Sequence, residues 1–174
     1  MNIFKPSILI IFFFLILTKF SYSNDKIAIL DLDSILEKTN YGKNIIKELN
    51  LINEENLQSL KKIETKIKLD QENLKAQKNL LSEEDLQIKV NKLNSEIREF
   101  QIKKNNLVND FNLKKKDKLD QFFKIIIPEI EKYINQNNIN LVFDKKNIFI
   151  ANRKNNITDE VVKIIDEKLK WQVP

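Results

Sequence analysis

The sequence predicts an α+β protein that is mostly α: a long antiparallel helical hairpin, a coiled-coil arm, standing on a small β-rich body that needs other chains to be stable. Three observations carry this. Residues 42–133 hold no glycine or proline between Gly42 and Pro128 and are dense in Lys, Glu, Gln, Leu and Ile. Apolar residues recur there every eleven positions. Outside this stretch and an apolar leader, about 65 residues remain, a size at which a single core is marginal without metals, disulfides or other subunits.

The second half of the hairpin shows the repeat best. Leu86, Ile97, Val108, Leu119 and Ile130 form one row, and Phe100, Phe111, Phe122 and Tyr133 a second row three places on. Eleven residues are close to three helical turns, so both rows stay on one face of a nearly straight helix, whereas a strict seven-residue repeat imposes a left-handed supercoil. The first half echoes this in Ile52, Ile63 and Leu74, with Leu49 and Leu60 beside them. The fold-back falls at Leu81-Ser82-Glu83-Glu84-Asp85-Leu86. There Ser82 can cap the new helix, Asp85 occupies the reciprocal capping-box position, and Leu81 and Leu86 can close a hydrophobic staple. Three acids in the first turn suit a helix's positive end. Arms of roughly forty residues reach about 60 Å. The many Asn residues along them, such as Asn56, Asn73, Asn94 and Asn105, are middling helix formers, which favours arms that persist but bend.

Residues 1–23 read as a secretory signal: Lys5 near the start, an unbroken apolar run from Ile8 to Leu17, then the small residues around Ser21 and Ser23. The apolar run is too short to span a bilayer, which takes about 20 residues. Lys26-Ile27-Ala28-Ile29-Leu30-Asp31-Leu32 reads as a strand, Ser34 to Glu37 as a short helical turn, and Gly42 as the bend into the first arm. Asp31 and Asp33 lie two apart, but a strand end followed by a helix cap accounts for both without catalysis.

At the far end, Phe122, Phe123, Ile125, Ile126, Ile127 and Ile130 are apolar on more than one helix face, so the arms enter the body here. Pro128 is expected to kink or restart the helix, and Asn137-Asn138 to stop it. Ile139-Asn140-Leu141-Val142-Phe143-Asp144 and Ile148-Phe149-Ile150-Ala151 read as two strands of a hairpin joined by Lys145-Lys146-Asn147. Thr158 is expected to cap a last helix with Val161, Ile164, Ile165 and Leu169 on one face. The resulting domains are the leader, 1–23; the body, 24–42 with 128–174; and the arm, 43–127, with its tip near 82–85. Three short strands leave exposed sheet edges, and strand pairing between subunits is the economical cure. Ile27, Ile29, Leu141, Phe143, Ile148 and Ile150 are the residues assigned to that oligomerisation body.

The chain of 174 residues has a formal charge of +5 and neither cysteine nor histidine. Disulfides, thiolate nucleophiles, the usual zinc ligands and the commonest general base are therefore excluded. No catalytic residue, metal site or cofactor is assigned, and the chain is not read as an enzyme. Lys5 and Lys19 belong to the leader, which leaves only about +3 after its removal. That is a mild bias and no argument for nucleic acid; the aromatic rows fit core filling better than base stacking.

The order of these elements resembles the Skp (OmpH-like) family of periplasmic chaperones over essentially the whole chain. The resemblance is carried by Lys26-Ile27-Ala28-Ile29-Leu30-Asp31, by the hairpin, and by Ile139-Asn140-Leu141-Val142-Phe143-Asp144 running through Ile148-Phe149-Ile150 to Ile157-Thr158-Asp159-Glu160-Val161-Val162. Asn156 stands where the family commonly has Asp. The resemblance implies a homotrimer with a β-rich trimerisation body and three arms around a cavity. It also implies an ATP-independent holdase that keeps unfolded outer-membrane proteins from aggregating in the periplasm.

A holdase retains many clients through adaptable surfaces and numerous weak contacts. Apolar arm residues outside the seam, Leu57, Leu69, Ile88, Ile102 and Leu113, are the candidate client contacts. Lys61, Lys62, Lys66, Lys68, Lys75 and Lys78 crowd the outer first arm, where they can meet anionic lipid, lipopolysaccharide or acidic client segments; a solvated helix face is the plainer reading. Lys114-Lys115-Lys116 with Lys118 is a second cluster nearer the body. The rival from another class is a periplasmic coiled-coil spacer or adaptor that protects no clients.

Overall fold

The computed structural model describes residues 26–169; the leader assigned to 1–23 lies outside them. Strand β1 (Lys26–Leu30) leads into the short helix α1 (Leu32–Lys38), then α2 (Asn40–Gln77), α3 (Glu83–Gln136), β2 (Ile139–Asp144) and α4 (Thr158–Leu169). The α2–α3 pair is the antiparallel hairpin that the sequence predicts. α2 is 38 residues long and α3 is 54, so the latter extends about 80 Å.

The turns follow local chemistry. The Asp31 carboxylate accepts the Ser34 amide at 2.9 Å and caps α1, while the Thr39 hydroxyl accepts the Gly42 amide at 3.2 Å and caps α2. The bend therefore falls at Thr39, and Gly42 sits inside the first turn of α2. Glycine is needed there for closeness: a Cβ would lie 2.7 Å from the Leu36 carbonyl carbon and 2.9 Å from its Cα, and nearer still to the carbonyl oxygen. The chain reverses across residues 78–82. The Ser82 hydroxyl caps α3 by accepting the Asp85 amide at 3.1 Å and donates to the Asp85 carboxylate at 2.6 Å. Leu81 and Leu86 are both half-buried beside it. At the other end of α3, Asn137 is the cap and Asn138 takes a left-handed φ of 53°, which ends the helix.

Three expectations are corrected. α3 does not restart at Pro128, which lies inside the helix. The ring removes one amide donor, but the buried Phe122, Ile126 and Ile130 flank it and hold both sides of the helix in one core. The hairpin of 139–144 with 148–151 does not form. β2 instead pairs in parallel with β1, Ile27 opposite Leu141 and Ile29 opposite Phe143. A 3-10 turn at Lys145–Asn147 follows β2, with Lys145 bonded to Asp31 at 2.8 Å and Lys146 bridging to Asp33 at 3.5 Å. That turn is fastened to the end of β1, so residues 148–151 leave the sheet without a strand to pair with among the described residues. The third correction concerns Thr158, whose hydroxyl does not cap α4. It accepts the Asp31 amide at 3.0 Å and donates to Asn156, and the Asn156 side chain accepts the Thr158 amide at 3.0 Å.

The core sits where these elements meet. Ile35, Phe122, Ile126, Val161 and Ile165 are almost completely enclosed, each burial contributing about 2 kcal/mol. Tyr41 stacks on Phe122 with ring centroids 5.8 Å apart, tying the root of α2 to α3. Along the arms the seam is thinner. Between Leu49 and Phe122 the only buried side chain is Ile67 of α2.

Candidate functional site

Helical spacing sorts the exposed apolar residues of the arm into faces. Ile88, Ile102 and Leu113 are all more than half exposed, and so nearly is Ile127. Their separations of fourteen, eleven and fourteen residues are each close to a whole number of turns, about four, three and four. They form one stripe along α3. Ile102 and Leu113 each follow a half-buried seam phenylalanine, Phe100 and Phe111, by two positions, which at about 100° per residue puts the stripe on the far side of the helix from the seam. On α2, Leu51 and Leu69 are exposed and eighteen residues apart, about five turns, so they share a face; Leu57 is exposed about a third of a turn away from them. Sequence reading missed Ile127 and Leu51. The signal available was the continuation of the fourteen-residue spacing towards the body.

The basic cluster is less uniform than its sequence. Lys61, Lys68 and Lys75, seven apart or about two turns, share one flank of α2. Lys66 turns across the hairpin and pairs with Glu96 of α3 at 2.9 Å, and also with Asp70 at 3.3 Å. Those two carboxylates raise its pKa, the Glu96 bond first, so this ammonium is an inter-arm strut. Lys68 meets Glu64 at 3.6 Å. Lys61, Lys62, Lys75 and Lys78 make no ion pair among the described residues. In the second cluster Lys116 pairs with Asp120, and Lys118 crosses to Glu48 at 2.8 Å at the arm root.

In the body, Ala28 and Leu30 face the core while Ile27, Leu141 and Phe143 stand exposed on the opposite side of the sheet. Ile29 is buried, next to its bridge to Asn156. Ile148 is half-buried, whereas Phe149 is 99% and Ile150 85% exposed just beyond the sheet. Five large apolar side chains, Ile27, Leu141, Phe143, Phe149 and Ile150, thus frame one end of the molecule with little covering them.

The two aspartates near the sheet are committed to structure. Lys145 and the Ser34 amide hold the Asp31 carboxyl well below the ordinary range, at about 2, and Asp33 pairs with Lys146. Among the described residues no three acidic side chains are grouped closely enough to hold a metal ion. No helix among them is long and apolar enough to cross a membrane.

A small parallel sheet at the root of a long helical hairpin, with apolar and basic residues turned outward, defines an arm-bearing α+β protein. The sequence matches the model of the outer membrane protein (OmpH-like) family over residues 26–165, and the chain belongs to that family. Its fold is also similar to a crystal structure of a proposed outer membrane chaperone (OmpH-like) from Caulobacter crescentus CB15, with a TM-score of 0.73 at 18% identity, over 84% of this chain and 86% of that one. Comparison with curated proteins finds no match.

Proposed function

We propose that this protein is an ATP-independent periplasmic holdase that keeps unfolded outer-membrane proteins from aggregating. On this reading residues 1–23 are a cleaved export signal. The body joins three copies, and the three arms enclose a space in which clients are held. The observation that carries it is the stripe Ile88, Ile102, Leu113 and Ile127. A monomeric rod gains nothing from an apolar line opposite its own seam, whereas an arm facing a cavity offers clients a row of weak contacts. Family membership and the chaperone description of the Caulobacter structure support the same reading. Leu57 and Leu69 extend the client surface to α2. Lys61, Lys62, Lys75 and Lys78, which make no ion pair among the described residues, provide sites for acidic client segments, anionic lipid or lipopolysaccharide. Exposed Ile27, Leu141, Phe143, Phe149 and Ile150 supply the surface by which the body trimerises.

The spacer reading is weaker because a doubled-back arm of two helices spans half the distance that its residues would reach in line. The test is light scattering of the leaderless protein followed by titration with one urea-unfolded outer-membrane barrel. A trimer that suppresses aggregation near one trimer per client supports the proposal; a monomer, or a trimer that leaves aggregation unchanged, refutes it.

A further inference from the structure

The seam of the arm is regular at both ends and interrupted between them. On the tip side, Leu86, Val90, Leu93, Ile97 and Phe100 follow one another at three- and four-residue steps, all half-buried. Beyond Phe100 the half-buried Leu107 and Phe111 continue the row, but the steps before and after that pair fall on Lys104 and Lys115, both exposed. These two stand in an eleven-residue row whose outer members are Leu93 and the buried Ile126. On α2 the corresponding stretch places the half-buried Asn56 in line with Ile52, Leu60 and Ile63.

Cross-arm bonds bracket the same interval. Lys118 meets Glu48 at 2.8 Å on the body side and Lys66 meets Glu96 at 2.9 Å on the tip side, with a further tie from Lys89 to Gln77 at 2.8 Å near the reversal. Between the first two, among the described residues, no side chain bonds across the seam, and past Leu49, which adjoins Glu48, none is buried. Long helices whose packing face is interrupted depend on their neighbours for order, and local opening concentrates where buried contacts are fewest.

We infer that the arm has a built-in joint at mid-length, near residues 50–62 of α2 and 101–117 of α3, where the two helices part reversibly while root and tip stay zipped. Parting bares Leu60, Leu107 and Phe111, which are half-buried in the closed arm, next to the already exposed Leu57, Ile102 and Leu113. Under the holdase reading, on which this functional part rests, the joint enlarges the client surface at the middle of the arm on demand. The joint itself does not depend on that reading.

Native-state hydrogen exchange of the leaderless protein, without client, tests it. Amides of the interval are expected to exchange at least tenfold faster than those of both 67–74 and 119–130. The triple variant Asn56→Leu, Lys104→Leu, Lys115→Leu, which restores the rows, is expected to slow the interval at least tenfold with unchanged helical circular dichroism. Protection that is uniform, or that falls steadily from root to tip, overturns the joint. So does a triple variant with wild-type exchange in the interval. Should that variant aggregate, Asn56→Leu alone is read by the same measurement, with slowing confined to the interval supporting the joint and no slowing opposing it. A confirmed joint with no change in aggregation suppression by the variant leaves the joint standing and removes its role in client holding.

Discussion

Replacing Gly42 by Ala is expected to destabilise the protein, although helix propensity alone argues the other way. An Ala for a Gly inside a helix gains at most about 1 kcal/mol. Here the new methyl would press on the carbonyl carbon of Leu36 at 2.7 Å and its Cα at 2.9 Å. Those are backbone atoms of the preceding helix and cannot rotate away. α1 and α2 must separate, and between them lie Ile35 and Thr39, both fully buried. Overpacking of this kind costs about 1–3 kcal/mol and sometimes more; contact with unyielding backbone belongs at the upper end. The net expected loss is about 2 kcal/mol, which with a urea slope of about 2 kcal/mol/M lowers the midpoint by about 1 M. The assay is urea unfolding at fixed protein concentration, followed by circular dichroism, with exposed Asn50→Ala in the same helix as the control. That control is expected to be neutral or slightly stabilising. If the Gly42 variant is as stable as the wild type, the close approach of α1 to α2 is wrong.

Further outcomes are expected. The Asp31 carboxyl, held at about 2 against an ordinary 3.8, stabilises the fold while ionised; up to about 2 kcal/mol is present above pH 4 and is lost as pH falls towards 2. Asp31→Asn should therefore narrow its stability deficit against wild type over that range, and a deficit that does not change with pH would contradict the assignment. Ser at Ile88, Ile102, Leu113 and Ile127 together should reduce aggregation suppression at least tenfold with arm helicity intact; suppression as strong as wild type would mean that the stripe holds no client. If the body forms the trimer proposed above, Phe149→Ser with Ile150→Ser should shift light scattering towards monomer, whereas an unaltered mass would free that segment of any part in assembly. At Asn138, with φ 53°, Ala should cost about 1 kcal/mol and Gly should be tolerated, as read by thermal unfolding.

The hairpin was legible because its determinants are local. An eleven-residue row, a Ser82–Asp85 cap and the absence of interior glycine act within a few turns, and each appears where the residues put it except Val108, the middle of the row, which is half exposed. The body was only partly legible, because its pairings join residues far apart in sequence. Ile139 to Asp144 carries the composition of a strand, yet nothing in it says that its partner is Lys26 to Leu30 and not the nearer Ile148 to Ala151. Composition also identified 148–151 as apolar and β-prone; what the segment lacks among the described residues is a neighbouring strand. Thr158 and Asn156 exchanged roles for a similar reason, since the Thr158 hydroxyl is claimed by the distant Asp31 amide. In the arm, five residues proposed for clients proved exposed, but the alignment of three of them with Ile127 emerged only once seam and far side were separated. Lys66 was grouped with its basic neighbours, and its Glu96 partner lies on the other helix.

The parallel pairing of β1 with β2 also orders events in time. Those strands are more than a hundred residues apart, and between them lie α1 and the hairpin, whose own contacts are reached by a reversal of five residues. Zipping from the tip costs little chain entropy, while closing the sheet means uniting the two ends of that whole excursion. A newly made chain would thus raise its limb early and knit its base last. Under the assembly proposed above, Ile27, Phe143 and Phe149 of separate copies are free to find one another until that final stitch, and subunit concentration then becomes a variable of maturation itself.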